Sequence, residues 1–283
     1  MFGFLNVYKP AGKTSHDVVS VIRRISGVKQ VGHTGTLDPL AEGVLPVCIG
    51  KATRLIEYLK EDKAYVGTVR LGEATTTYDL EGEVLKCSDK NVSFDEVENA
   101  LFFFRGEIEQ FPPIYSAIKI NGKKLYEYAR KNEEVKIPPR KVQIYDLKVL
   151  NYNPADRVLE LYIKCSKGTY IRSIANDLGE RLGTYGHLIK LERVQAGDFH
   201  KENSVKLEDL KTAEDIEKNL IYPLGYLDYP KYKINSKEAG LISNGRQINV
   251  NAKDGLTILV RNSELIAVGY VKDSVFKCAK VFI

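Results

Sequence analysis

Residues 158 to 183 read VLELYIKCSKGTYIRSIANDLGERLG. Leu159, Leu161, Ile163 and Cys165 alternate with Glu160, Tyr162 and Lys164, the two-residue period of a strand with one buried face. SKGTY turns the chain. Ile171, Ile174, Ala175, Leu178 and Leu182 then fall on one face of a helix that Gly183 closes. A strand handed straight to a helix sets the class as mixed α/β.

Working outward, TSHDVVSVIRRISG (14 to 27) predicts a helix capped by Thr14 or Ser15, with Val18, Ile22 and Ile25 at helical spacing and Gly27 at its end. SFDEVENALFFF (93 to 104) opens with Ser93 and has Glu96 three residues on, the spacing of a capping box. KAYVGTVRLG (63 to 72) reads as a strand. After about residue 225 the stretches YPKYKINSKEAGLISNGRQINV and GLTILVRNSELIAVGYVKDSVFKCAKVFI suggest short strands joined by Asn, Gly and Asp turns. Such a tail would form a small β-rich unit with a thin core.

The 283 residues are 43% hydrophobic and 28% charged, ordinary values for a globular chain. No run approaches the roughly 18 apolar residues of a membrane span, and MFGFLNVYKPAGKTS lacks the apolar stretch and cleavage site of a signal peptide. Cys48, Cys87, Cys165 and Cys278 lie far apart without a CxxC pair, which argues against a zinc ribbon or disulfide framework and fits a reducing cytoplasm. Between Lys119 and Lys141 eight Lys and Arg face three Glu, an excess equal to the net charge of +5, with Tyr126 and Tyr128 interleaved. Cations among aromatics suit a phosphate backbone with exposed bases; a solvated lysine-rich insertion has the same composition.

Of the available chemistries, several fail on spacing. His16, His33, His187 and His200 form no HxH or HExxH pattern. The GKAT at Gly50 to Thr53 has Gly43 in the wrong place for a P-loop and Ala52 where a hydroxyl belongs, and no GxSxG elbow occurs. GHTGTLDPLAEGVLP (32 to 46) remains. An Asp in a glycine-rich turn more often just caps its own backbone. Here, however, Gly32 and Gly35 leave room for a bulky partner, and Pro39 favours an extended Asp38, so a carboxylate could be rigidly aimed. Arg172, in the first turn of the helix that follows SKGTY, projects away from the core positions Ile171 and Ile174. It is either a surface arginine or the cation that orients Asp38.

KPAGKTS (9 to 15), GHTGTLDPLAEGVLP (32 to 46), FPPIYSAIKINGKKLYEYAR (111 to 130) and SKGTYIRSIANDLGERLG (166 to 183), in that order, resemble the TruB family of bacterial tRNA pseudouridine synthases. The resemblance covers nearly all of the first 225 residues, and the tail is similar to that family's small PUA-like domain. It implies a pseudouridine synthase fold with a mixed, largely antiparallel sheet flanked by helices over residues 1 to 225. A basic RNA-clasping insertion at about 111 to 146 and a β-rich PUA-like unit over 226 to 283 would complete it. By position, it implies Asp38 as the catalytic carboxylate with Arg172 as its partner, and Tyr65 as the ring stacked on the target uracil. Tyr170 and Leu191 would line the pocket, His33 would hold the base out of its stack, and Lys123 and Lys124 would contact phosphates. Lys9 and Pro10 would buttress the site, with Lys9 also a candidate for substrate contact.

The implied reaction isomerises the T-loop uridine numbered 55, after the base is flipped from its stack. Asp38 would attack ribose C1′ or uracil C6, and Tyr65 is the candidate to assist loss of the C5 proton. No cofactor and no metal are implied. The expected partner is the tRNA T-arm, with no membrane and no obligatory protein partner, for a cytoplasmic monomer. A synthase acting on another RNA and a non-catalytic RNA binder are the alternatives. A bare binder has no use for a carboxylate facing phosphates.

Overall fold

The computed structural model describes residues 1 to 131 and 133 to 283. Strands assemble into two main sheets. The larger has ten strands, and its principal order is Val205–Lys206, Gly3–Lys9, Glu42–Ile49, Gly186–Ala196, Lys63–Leu71, Val158–Cys165, Arg140–Asn153 and Gly106–Gln110. Val31–His33 and Phe199–His200 join beside this path. Gly3–Lys9 runs parallel to Val205–Lys206, and Glu42–Ile49 parallel to Gly186–Ala196; the other pairings are antiparallel. The sheet is therefore mixed and mainly antiparallel, as expected.

Local chemistry sets the helices where the sequence places them. The helix Ser15–Ser26 has Thr14 and Asp17 in a reciprocal capping box and ends at Gly27 with φ +67°. The helix Phe94–Leu101 carries the Ser93–Glu96 box. The helix Ile171–Leu182 ends at Gly183, also left-handed. Each C-terminal glycine adopts a backbone that a side chain would strain.

Alternation assigns the cores. On Gly3–Lys9, Leu5 and Val7 pack with Val18, Val19 and Ile22 of the first helix, whereas Phe4 points to the opposite face and joins Val44 and Cys48. Leu159, Leu161, Ile163 and Cys165 pack with Ile171, Ile174, Ala175, Leu178 and Leu182, so the strand and helix read from the opening stretch cover one another.

The tail forms the second sheet, five strands from Lys231–Lys233 to Val275–Val281. Two findings correct the sequence reading. SKEAGLIS (Ser236–Ser243) is a helix, not a strand, with Asn235 and Glu238 in a capping box that marks it. The core of the tail is also not thin: it has its own cluster around Ile242, Leu259, Ile266 and Phe276, and Ile258, Val260, Leu265, Val268 and Phe282 share a second with Phe4, Val44 and Cys48 of the large sheet. Among the described residues no helix is long and apolar enough to cross a membrane.

Candidate active site

Asp38 lies in a segment without regular structure between the strands Val31–His33 and Glu42–Ile49. Such a segment wanders unless its backbone is held, and here it is held on both sides. Before Asp38, the buried guanidinium of Arg193 donates to the carbonyls of Gly35 at 3.1 Å and Thr36 at 3.2 Å, and to Val44 at 2.7 Å. Ser15 Oγ accepts from the Leu37 amide at 2.8 Å and donates to the Leu37 carbonyl at 3.1 Å. After Asp38, Lys9 Nζ donates to the Pro39 carbonyl at 3.3 Å and to the carbonyls of Pro10 and Lys13, while the Gly12 amide donates to Pro39 at 2.8 Å. Leu37 and Ala41 are buried in the core cluster that contains Tyr65. Asp38 itself stays open, its side chain 38% exposed.

Arg172 stands opposite. Its Nε lies 3.1 Å from Asp38 Oδ2, an ion pair without the alignment of a hydrogen bond. Nη1 lies 3.0 Å from Asp79 Oδ2 and donates to the Thr77 carbonyl at 3.2 Å, and Nη2 donates to the Tyr115 carbonyl at 3.3 Å. The arginine is buried, which removes the surface-residue alternative. Asp79, only 1% exposed, is its inner counterion and is itself bound by Thr77 Oγ1 and the Glu81 amide. With the guanidinium fixed by Asp79, its remaining edge is presented to Asp38.

The start of the helix that carries Arg172 is clamped too. Tyr170 has no side-chain cap, but the buried amide of Gln110 donates to the Tyr170 carbonyl at 2.9 Å and accepts from its amide at 2.8 Å. Ser173 Oγ donates to the Phe111 carbonyl at 2.9 Å. The root of the basic insertion is thus bonded to the residues that orient Asp38.

Tyr65 sits on Lys63–Leu71 between Ile163 and Arg193 of the neighbouring strands. Burial pushes its phenol up to about 12. Burial also raises Tyr170. Leu191 lies cross-strand from Gly67, where an added Cβ would fall 3.4 Å from Ile171 and 3.7 Å from Leu191. The helix and Leu191 thus pack at ordinary contact distance over Gly67, two residues from Tyr65 on the same strand. His33 borders the segment; burial and then the charge of Arg193 hold its pKa below the usual histidine value, and its Nδ1 is buried without a partner.

Lys9 is fully buried with its ammonium spent on three carbonyls, so its place is beneath the loop and not in a substrate path. Burial, the largest influence, lowers it to about 8. Gly35 does not leave room for a visitor either: an added Cβ would meet Lys63 Cε at 3.2 Å, so the protein's own side chain fills that space. Lys123 and Lys124 lie apart from this cluster, in a small hairpin followed by the helix Leu125–Arg130. Lys123 pairs with Glu133 and lies over the Tyr128 ring at 4.3 Å, and Lys124 donates to Tyr126 Oη at 3.1 Å.

Of four residues that build the site, the sequence marks Ser15 only as a candidate helix cap and gives no sign of Asp79, Gln110 and Arg193. Each acts on a backbone or charge far along the chain: 22 residues for Ser15 to Leu37, 93 for Asp79 to Arg172, 60 for Gln110 to Tyr170 and 158 for Arg193 to Gly35.

Comparison with known proteins places this geometry. Residues 23–171 match a model of the TruB family pseudouridylate synthase N-terminal domain, and residues 172–227 match one of the tRNA pseudouridylate synthase B C-terminal domain. Their junction falls inside the helix Ile171–Leu182, so it is no seam in the fold. Proteins named tRNA pseudouridine synthase B from Clostridium novyi (strain NT), Caldanaerobacter subterraneus subsp. tengcongensis and Staphylococcus aureus (strain MRSA252) are similar along much of the chain. The first is 47% identical over 88% of this chain and 86% of its own. The other two are each 42% identical over 99% of both chains. A crystal structure of a Cbf5-Nop10-Gar1 complex aligns with a TM-score of 0.75 and 27% identity, covering 100% of this chain and 85% of that one.

Proposed function

The chain belongs to the TruB family of pseudouridylate synthases, and on that premise we propose that it converts uridine 55 in the T-loop of tRNA to pseudouridine, with Asp38 as the attacking group. The observation that carries the reading is the open Asp38 carboxylate set 3.1 Å from a buried arginine whose other bonds are already satisfied. A nucleophilic carboxylate needs charge, exposure and fixed aim; Arg172 supports the first, the 38% exposure supplies the second and the clamps at Leu37 and Pro39 supply the third.

The target base cannot be reached in its stack, so it is flipped at a cost of a few kcal/mol. Stacking against an aromatic face returns about 1–3 kcal/mol. Tyr65 provides that face, with Leu191 and Tyr170 closing the pocket. Asp38 then bonds to ribose C1′ as uracil departs with the glycosidic electrons, or adds to uracil C6. On the first path the freed uracil turns and C5 attacks C1′, displacing the Asp38 carboxylate. On the second the glycosidic bond breaks in the C6 adduct, the uracil turns and C5 bonds to C1′. The C5 proton then leaves, and on the second path its electrons restore the C5–C6 double bond as Asp38 departs from C6. A phenol pushed up to about 12 keeps its proton at neutral pH, so Tyr65 serves first as the stacking ring. Atoms are only rearranged, so the reaction consumes no oxidant, reductant or nucleotide.

The insertion supplies binding. Its cations would meet phosphates of the folded T-arm, which is read by shape because side chains do not enter the deep major groove of paired RNA. The tail sheet would extend the grip toward the acceptor end. The test uses unmodified T-arm RNA tritiated at uridine C5, with no added nucleotide, beside an unrelated ribosomal stem-loop. Release from the T-arm alone is expected. Release from the ribosomal stem-loop alone would assign a different RNA, and release from neither, with binding intact, would leave an RNA-binding protein.

A further inference from the structure

Arg193 is the largest of the fully buried side chains, and it breaks a rule of buried charges. A buried guanidinium ordinarily meets a carboxylate, because an unpaired ion loses its hydration without compensation. Among the described residues no Asp or Glu lies within ion-pair distance of Arg193. Its bonds go to three carbonyls, two of which belong to Gly35 and Thr36, just before Asp38. For stability alone, a methionine or leucine would fill this space with less desolvation.

The surroundings are shaped to it. Gly43, paired with Arg193 across the parallel strands, has φ +112°, and a Cβ there would fall 2.3 Å from the Arg193 carbonyl. The start of the strand Glu42–Ile49, just past the loop, therefore lies directly on the Arg193 backbone while the side chain reaches back to Gly35 and Thr36. Cross-strand from Arg193 is Tyr65, whose phenol feels both the guanidinium and the Asp38 carboxylate. Arg193 and Lys9 place two positive charges behind the loop that carries Asp38.

Resting on the proposed synthase reading, we infer that Arg193 is a positioning residue. It holds the backbone ahead of Asp38 and keeps the carboxylate in register with Tyr65, without touching the RNA. Its planar fork spans two successive carbonyls, which a lysine reproduces only in part.

Arg193→Met and Arg193→Lys test this in the full chain. Three readouts are compared: melting temperature, T-arm dissociation constant and single-turnover tritium release. Arg193→Met is expected to melt within a few degrees of the wild type and to bind RNA within about twofold, yet to release tritium about 100-fold more slowly, the scale of a small misplacement of a reacting group. Arg193→Lys should recover about a tenth or more of the wild-type rate. Amide hydrogen exchange reads the clamp without activity: the Leu37 amide, bonded to Ser15, should exchange faster in Arg193→Met while amides of Val158–Cys165 stay unchanged. An unchanged rate, or a rate loss matched by loss of folding or by faster exchange throughout, would overturn the inference. Faster Leu37 exchange in a protein whose wild type releases no tritium would keep the clamp and discard the synthase reading.

Discussion

The loop of residues 34 to 41 and the basic insertion that follows Gln110 are both held by charged side chains, yet they are built on opposite plans. Against the loop, two buried cations are bonded to backbone: Arg193 to Gly35, Thr36 and Val44, and Lys9 to Pro10, Lys13 and Pro39. In the insertion, cations are near the surface and rest on movable neighbours, Lys123 on Glu133 and Tyr128, Lys124 on Tyr126. Buried charge-assisted bonds hold one geometry, whereas exposed pairs contribute about 0–1 kcal/mol and exchange readily for phosphate. On the proposed reading, the chemistry would stand on the rigid region and the binding on the adaptable one.

Substitutions that separate these roles sharpen the contrast. The largest effect is expected for Arg172→Met, which strands Asp79 in the core. Urea unfolding should show a loss of about 3–5 kcal/mol, with tritium release falling about a thousandfold or more. Adding Asp79→Asn should restore much of the stability and none of the rate. Restored activity would mean that Arg172 is structural only.

Charge reversal of Lys123 and Lys124 should act the other way. Binding to the T-arm is expected to weaken about 10- to 100-fold and its salt dependence to flatten by one to two ions, while the rate of bound RNA stays within about twofold. Filter binding at several salt concentrations measures both. Affinity and slope equal to those of the wild type would remove these lysines from the interface.

The smallest effect concerns pH. Lys9 is lowered to about 8 in the folded protein against an ordinary 10.5, so between those values the unfolded chain holds a proton that the folded chain has lost. Stability therefore gains from Lys9 as pH rises through that window. The wild type should gain about 1–3 kcal/mol relative to Lys9→Met between pH 7.5 and 10. Parallel stabilities of the two proteins across that range would show that the ammonium is not desolvated.

Much of this contrast was legible beforehand, and the reason is locality. The Thr14 or Ser15 cap, the capping box at Ser93, glycine stops at Gly27 and Gly183, and the alternation of Leu159 to Cys165 are short-range signals, and each element lies where they place it. Motif resemblance likewise points to Asp38 and Arg172, which the fold brings together. Asp79 and Arg193 are different. Within TTTYD and LERV they look like turn and strand residues, and their roles exist only once the chain has closed loops of 93 and 158 residues. The helix Ser236–Ser243 was misread for a simpler reason: Ile, Val and Tyr around it suggest strands, while its Asn235–Glu238 box is a local mark that outweighs them.

The most direct measurement compares the wild type with Asp38→Asn on tritiated T-arm RNA, following affinity and label release in the same samples. Equal affinity, release by the wild type and a loss of about 10⁴-fold or more in the variant are expected. Release by Asp38→Asn at a rate near that of the wild type would contradict it, because the carboxylate held between Ser15, Lys9 and Arg172 would then not be the group that attacks.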